Sequence, residues 1–202
     1  MDKGWRFKGN ERKYLDNVLS GGFSAGTSGT YVQQVENLFA EKHNQKYAIG
    51  CNSGTSTLHT ALEAFGIGPG DEVIIPSLTV AMCGFVILQC GATPVYSDVK
   101  PDTFLLDAKD VEKKITSKTK AIMPVHMYGL MCNMEEIMKV ADDNGLYVLE
   151  DCAQCFLAHD DKNRLSGTIG HAGSWSFENS KHMSSGDGGI LTTDDPILSD
   201  HM

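Results

Sequence analysis

The sequence is short of positive charge. Its 202 residues carry 17 lysines and arginines against 26 aspartates and glutamates, a net charge of -9, and no basic run interrupts that balance. A nucleic-acid-binding face needs the reverse, so no such partner is expected. Long apolar runs are missing as well. No stretch approaches the roughly 20 apolar residues of a membrane-spanning helix, and the first residues lack the apolar core of a secretory signal. The expectation is a soluble, cytoplasmic protein with no membrane partner. The six cysteines (51, 83, 90, 132, 152 and 155) show no disulfide framework. Cys152 and Cys155 form a C-x-x-C, but a metal or redox centre of that kind needs a second pair or a thioredoxin-like setting, and neither is present. Two small, half-buried thiols are expected instead, and no metal site. Two phosphate fingerprints are also absent: no G-x-x-x-x-G-K-[ST] and no G-x-G-x-x-G. A nicotinamide dehydrogenase thereby loses its main support. There is no internal repeat, low-complexity tract or clear interdomain linker.

What is present is a globular composition, 41% apolar and 21% charged, long enough for one sizeable α/β domain or a small pair. Residues 10–19 and 30–43 show helical spacing, separated by a Gly/Ser/Thr-rich loop over 21–29. From there strands and helices alternate. Strand patterns cover 46–51, 72–76, 93–97, 120–126, 146–150, 174–177 and 190–193, and helical patterns cover 56–65, 80–90, 107–115 and 134–144. Repeated β-α-β units predict an α/β fold with a seven-stranded, mostly parallel sheet and helices on both faces. The last strand follows a Gly-rich turn rather than a helix, so it can run antiparallel to its neighbours. Residues 1–45 would supply N-terminal helices and a loop, and 46–195 the sheet core.

In such a sheet ligands bind at the carboxyl ends of the strands. After the first strand, Asn52-Ser53-Gly54-Thr55 leads into a helix. Backbone N–H groups there can hold an anion, and Gly54 lets a phosphate approach; ordinary N-capping by Ser53 or Thr55 explains the same letters. After the fifth strand comes the acidic pair Glu150-Asp151, expected to face the same crevice. A carboxylate there can hold a protonated ring nitrogen, bind Mg²⁺, or cap the next element. After the sixth come Ser176 and Lys181. A lysine just past a strand end can offer its amine to a carbonyl, or it can be an exposed loop lysine. Together these are the parts pyridoxal 5′-phosphate needs: an anion cradle, an acid for the pyridine nitrogen and a Schiff-base lysine.

Six stretches then resemble one family, in order and at matching spacing. They are 47–55, 70–77, 91–95, 119–129, 150–154 and 176–181. On these the chain resembles the DegT/DnrJ/EryC1/StrS family of sugar aminotransferases, of the aspartate-aminotransferase (type I PLP) fold. The resemblance implies that Lys181 carries the Schiff base and shuttles a proton, and that Asp151 pairs with the pyridine nitrogen. Gln154 would lie near the ring and its phenolic oxygen. Gly54, Thr55 and Ser176 would hold the phosphate. Val80 occupies the place where family members usually set an aromatic ring against the pyridine. A lysine at 181 separates the chain from sister dehydratases, which carry histidine there. The implied activity is transfer of an amino group, from glutamate, to a nucleotide-linked keto-sugar by a homodimer. The family also implies a small C-terminal domain, absent from these 202 residues, so the alternative is a PLP-binding or dimerising module without turnover.

Overall fold

The computed structural model describes residues 9–21 and 30–202. The expected loop over 21–29 lies outside them, apart from Gly21, which ends a helix. The described residues fall into two compact units that divide between Gln34 and Val35. In the first, α1 (Glu11–Gly21) buries none of its residues. Its Tyr14 meets Tyr31 edge-on at 5.6 Å, and the Asn17 amide donates to the Tyr31 hydroxyl. The unit boundary falls inside α2 (Thr30–His43).

The second unit holds β1 (Tyr47–Cys51), β2 (Glu72–Pro76), β3 (Thr93–Ser97), β4 (Thr119–Ile122), β5 (Tyr147–Asp151), β6 (Ala172–Ser176) and β7 (Gly189–Thr193). They form one seven-stranded sheet in the order β1-β7-β6-β5-β4-β2-β3. All neighbouring pairs are parallel except those of β7, which runs antiparallel to both β1 and β6. The reason is local: no helix intervenes between β6 and β7, so the chain returns as a hairpin. The buried central strands read as continuous apolar runs, Val73-Ile74-Ile75 and Val148-Leu149, as a sheet covered on both faces requires.

The helices are α3 (Gly54–Ala64), α4 (Met82–Gln89), α5 (Ala108–Lys114), α6 (Met134–Asn144) and α7 (Pro196–His201). Their limits follow from capping. Ser53 accepts from the Ser56 N–H, Asp107 from the Lys109 N–H and Asn133 from the Glu136 N–H. Gly145 closes α6 at φ 64°, a left-handed position that glycine takes at no steric cost.

Two elements differ from expectation. β4 ends at Ile122, earlier than the 120–126 pattern suggests. Pro124 has no N–H to donate, so beyond it only an isolated bridge to β5 remains: its carbonyl accepts from the Asp151 N–H at 2.9 Å and the His126 N–H donates to the Asp151 carbonyl at 3.0 Å. The final helix α7 was not anticipated. Asp195 caps it by accepting from the N–H groups of Ile197 and Leu198, and Pro196 stands in its first turn with φ already set.

Strand alternation assigns the two faces. On β6, Ser174 and Ser176 point toward α3, with the Ser174 hydroxyl 2.6 Å from that of Thr57. Trp175, fully buried, points the other way, against Phe39 and His43 of α2.

Candidate active site

The loops after β1, β2, β5 and β6 leave the sheet at the same edge and enclose a cleft of about 210 Å³. That is smaller than a typical drug-sized pocket, about 300–1,000 Å³, and suits a single substituted ring. Gly54, Thr55, Val80, Asp151, Gln154, Ser176 and Lys181, separate in sequence, all line it.

One wall is the start of α3. Its first turn presents N–H groups with no intrahelical partner and the positive end of the helix dipole. It is clamped from two sides. A Cβ on Gly54 would fall 2.5 Å from the Cβ of Ser176 and 3.0 Å from its Oγ, so only glycine lets α3 come this close to β6. Behind it, a Cβ on Gly189 would fall 2.6 Å from the Ser53 carbonyl oxygen. The result is a concave backbone cradle with the hydroxyls of Thr55 and Ser176 at its rim.

The floor is Asp151, 5% exposed. Its Oδ1 accepts from the Ala153 N–H at 2.9 Å, and its Oδ2 lies 3.4 Å from the Cys83 thiol. Burial pushes the carboxyl above its ordinary range, against the pull of the Ala153 N–H, the Cys83 thiol and the charge of Lys181. A buried acid in that state gains from a cationic hydrogen-bond donor placed against it. Burial and the neighbouring Asp151 in turn push the Cys83 thiol up, so it remains protonated and able to donate.

Gln154 is held by its own carbonyl: Oε1 accepts from the Tyr128 N–H at 3.1 Å, which orients the amide NH₂. Tyr128 has φ 55°, the left-handed conformation that turns its N–H toward the side chain. Lys181 sits in a turn closed by its N–H donating to the Glu178 carbonyl at 2.9 Å. The Glu178 carboxylate, another residue of the cleft wall, accepts from the Ser180 N–H. Val80 is 46% exposed where α4 begins.

The acidic pair after β5 divides. Asp151 faces the cleft, but Glu150 does not, contrary to expectation. In register it pairs with Gly173 on the Trp175 side, while Asp151 pairs with Ser174 on the α3 side. Consecutive strand residues point to opposite faces. Glu150 is fully buried and accepts from the N–H groups of Gly167, Ile169 and Gly170 and from His126 Nε2 at 2.9 Å. The Cys132 N–H occupies His126 Nδ1, which leaves Nε2 as the donor. Burial alone would raise the Glu150 carboxyl; His126 and the backbone donors more than offset that and hold it below its ordinary range. Glu150 therefore ties down the segment after β5 from behind. Cys152 and Cys155 are buried completely rather than by half. Sequence reading overlooked Cys83; the signal was its spacing of four from Thr79, which puts both on one side of the α4 entry, 3.2 Å apart.

Comparison with known proteins follows this geometry. The DegT/DnrJ/EryC1/StrS aminotransferase family profile matches residues 6–202. The GDP-perosamine synthase of Caulobacter vibrioides is 44% identical over 197 residues, 98% of this chain and 53% of that protein. Among solved structures, an aminotransferase from Psychrobacter cryohalolentis superposes with a TM-score of 0.90 at 40% identity, covering 95% of this chain and 48% of that one. NtdA of Bacillus subtilis with bound cofactor PMP superposes with a TM-score of 0.85 at 32% identity, covering 94% and 42%. The chain thus spans about half the length of the relatives it matches.

Proposed function

We propose a function from one premise: the chain belongs to the DegT/DnrJ/EryC1/StrS aminotransferase family. These residues supply the cofactor-binding part of a pyridoxal-phosphate-dependent sugar aminotransferase, which moves an amino group from glutamate to the ketone of a nucleotide-linked sugar. The observation that carries this reading is the convergence, on one cleft, of an anion cradle, a buried carboxyl and a lysine.

The residues fit the group. The α3 cradle suits a phosphate, because Gly54 and the clamp around it leave backbone N–H groups open to a ligand, with Thr55 and Ser176 adding hydroxyls. Asp151 would answer a protonated ring nitrogen: its buried carboxyl would gain a cationic hydrogen-bond donor, and the ionised acid would keep the proton on that nitrogen. Gln154, oriented by Tyr128, would offer its amide donors to the phenolic oxygen. Val80, which also lines the cleft, would offer its methyl groups to the ring. When bound, pyridoxal phosphate supplies the electron sink that weakens the Cα–H bond of an amino donor and carries the amino group to an acceptor ketone. Lys181 Nζ would hold the cofactor covalently, and its amine would serve as the base for the proton on the donor's Cα.

Glutamate as donor, a nucleotide-linked keto-sugar as acceptor and assembly as a homodimer belong to this reading. A second reading is a module that binds the cofactor without turnover. One experiment separates them. Adding pyridoxal phosphate is expected to produce a visible band that borohydride fixes onto Lys181, located by mass spectrometry and lost in Lys181→Ala. Glutamate should then bleach that band toward the pyridoxamine form. A band that glutamate leaves unchanged supports the second reading, and no band in the intact chain refutes both.

A further inference from the structure

The ends of α3 and α4 remote from the cleft carry a second cluster of ligating side chains. His59 and Glu63 stand four residues apart on α3 and so share a face. Cys90 is the C-cap of α4, which packs against α3. A ring nitrogen of His59, a Glu63 carboxylate oxygen and the Cys90 Sγ all lie within 4.8 Å of one another. We propose that these three residues bind a divalent cation of the zinc class, with the fourth position open to water.

Three observations support this. First, His59 Nε2 is buried and has no hydrogen-bond partner, although it faces Glu63 Oε1 at 3.4 Å. A tetrahedral zinc ion with bonds of about 2.0–2.2 Å to nitrogen and oxygen holds those atoms about 3.4 Å apart. The pair is thus spaced as two ligands of one ion. Second, both helices direct their negative dipole ends here, and neither carries a basic residue in its last turn. Glu63 adds an acid near the end of α3, where the dipole disfavours it unless a cation is present. Third, an imidazole, a carboxylate and a thiolate are ligands that zinc accepts and magnesium or calcium does not favour. Binding through the thiolate releases the Cys90 proton to solvent.

The other compact His/Glu/Cys cluster among the described residues, His126, Glu150 and Cys152, is a different case. Both Glu150 oxygens and both His126 nitrogens already have hydrogen-bond partners. A cation at His59, Glu63 and Cys90 would staple together the two helices whose opposite ends carry Thr55 and Val80.

The test uses the full chain, reduced and stripped of metal with a chelator, then titrated with Co²⁺. One cobalt per chain is expected, with near-ultraviolet thiolate-to-cobalt absorption, displacement by Zn²⁺ and a higher thermal midpoint. Cys90→Ser should abolish the absorption, and His59→Gln should weaken binding about tenfold or more. His59 is half-exposed, so that variant keeps the test open if the cysteine variant misfolds. The thiol variant Cys51→Ser should keep the band. The proposal is overturned if the wild-type chain takes up no cobalt in excess metal, or if the band persists unchanged in Cys90→Ser and His59→Gln.

Discussion

Gly54→Ala tests the cradle most directly. The added methyl carbon would stand 2.5 Å from the Ser176 Cβ and 3.1 Å from its Cα. Carbon–carbon contacts settle at about 3.5–4.0 Å, so the overlap is about 1 Å. The α3 start cannot simply retreat, because Gly189 is packed against the Ser53–Gly54 backbone behind it. Overpacking of this kind costs about 1–3 kcal/mol. Alanine's better helix propensity returns at most about 1 kcal/mol, so the clash wins. Urea unfolding of Gly54→Ala should therefore show a loss of stability, and spectroscopic titration should show weaker binding of pyridoxal phosphate. Each 1.4 kcal/mol or so lost from the cradle raises the dissociation constant about tenfold. Ser176→Gly removes the atom that is struck, so the double variant Gly54→Ala/Ser176→Gly should recover stability relative to the sum of the single changes. If Gly54→Ala is as stable as the parent and binds the cofactor equally well, or if the two changes are simply additive, α3 is not pressed on β6 as described and the cradle argument fails.

Three further outcomes follow from the same geometry. Asp151 carries a raised carboxyl, so the folded chain binds its proton more tightly than the unfolded chain. Its contribution is present at low pH and is lost as pH rises from the ordinary carboxylate range through the raised value. Asp151→Asn should accordingly gain thermal stability at neutral pH in cofactor-free protein while losing cofactor retention on a desalting column; unchanged retention would contradict its place opposite the ring. Glu150 has the opposite sign. Its depressed carboxyl stabilises the fold above the ordinary range and ceases to do so as pH falls through the lowered value. Glu150→Ala, which strands His126 and three backbone N–H groups, should cost about 3–5 kcal/mol in denaturant unfolding. Val80→Phe places an aromatic ring at the mouth of the cleft and should tighten pyridoxal phosphate binding by about 0.5–1.5 kcal/mol, read from the dissociation constant. Equal affinity would mean the side chain at 80 does not reach the ring.

Much of the fold was legible because its signals are local. Val73-Ile74-Ile75 and Val148-Leu149 announce buried parallel strands, and Ser53, Asp107 and Gly145 mark helix ends by capping chemistry that needs no tertiary information. The antiparallel return of β7 was legible for the same reason, since no helix separates it from β6. The early end of β4 is readable in Pro124, and α7 in the Asp195-Pro196 start, through backbone donors and caps that the apolar pattern alone does not carry.

The site divides along the same line. Sequence alone determined which chemical groups stand at the strand ends: Gly54 and Thr55 after β1, Asp151 at the end of β5 and Gln154 beyond it, Ser176 at the end of β6 and Lys181 beyond it. Such positions depend only on where each strand stops. Which of two adjacent acids enters the cleft was decided by tertiary structure. The pairing of β5 with β6 sets the phase of the alternation, turning Asp151 toward α3 and Glu150 into a buried anchor for the segment behind it. The contact that makes Gly54 obligatory was likewise invisible, because Ser176 and Gly189 reach it from strands more than a hundred residues away. The meeting of His59 and Glu63 with Cys90 arose in the same way, from the packing of α3 on α4. Local sequence chooses the residue types and the element ends; distances between side chains on different elements exist only once the sheet and its helices have packed.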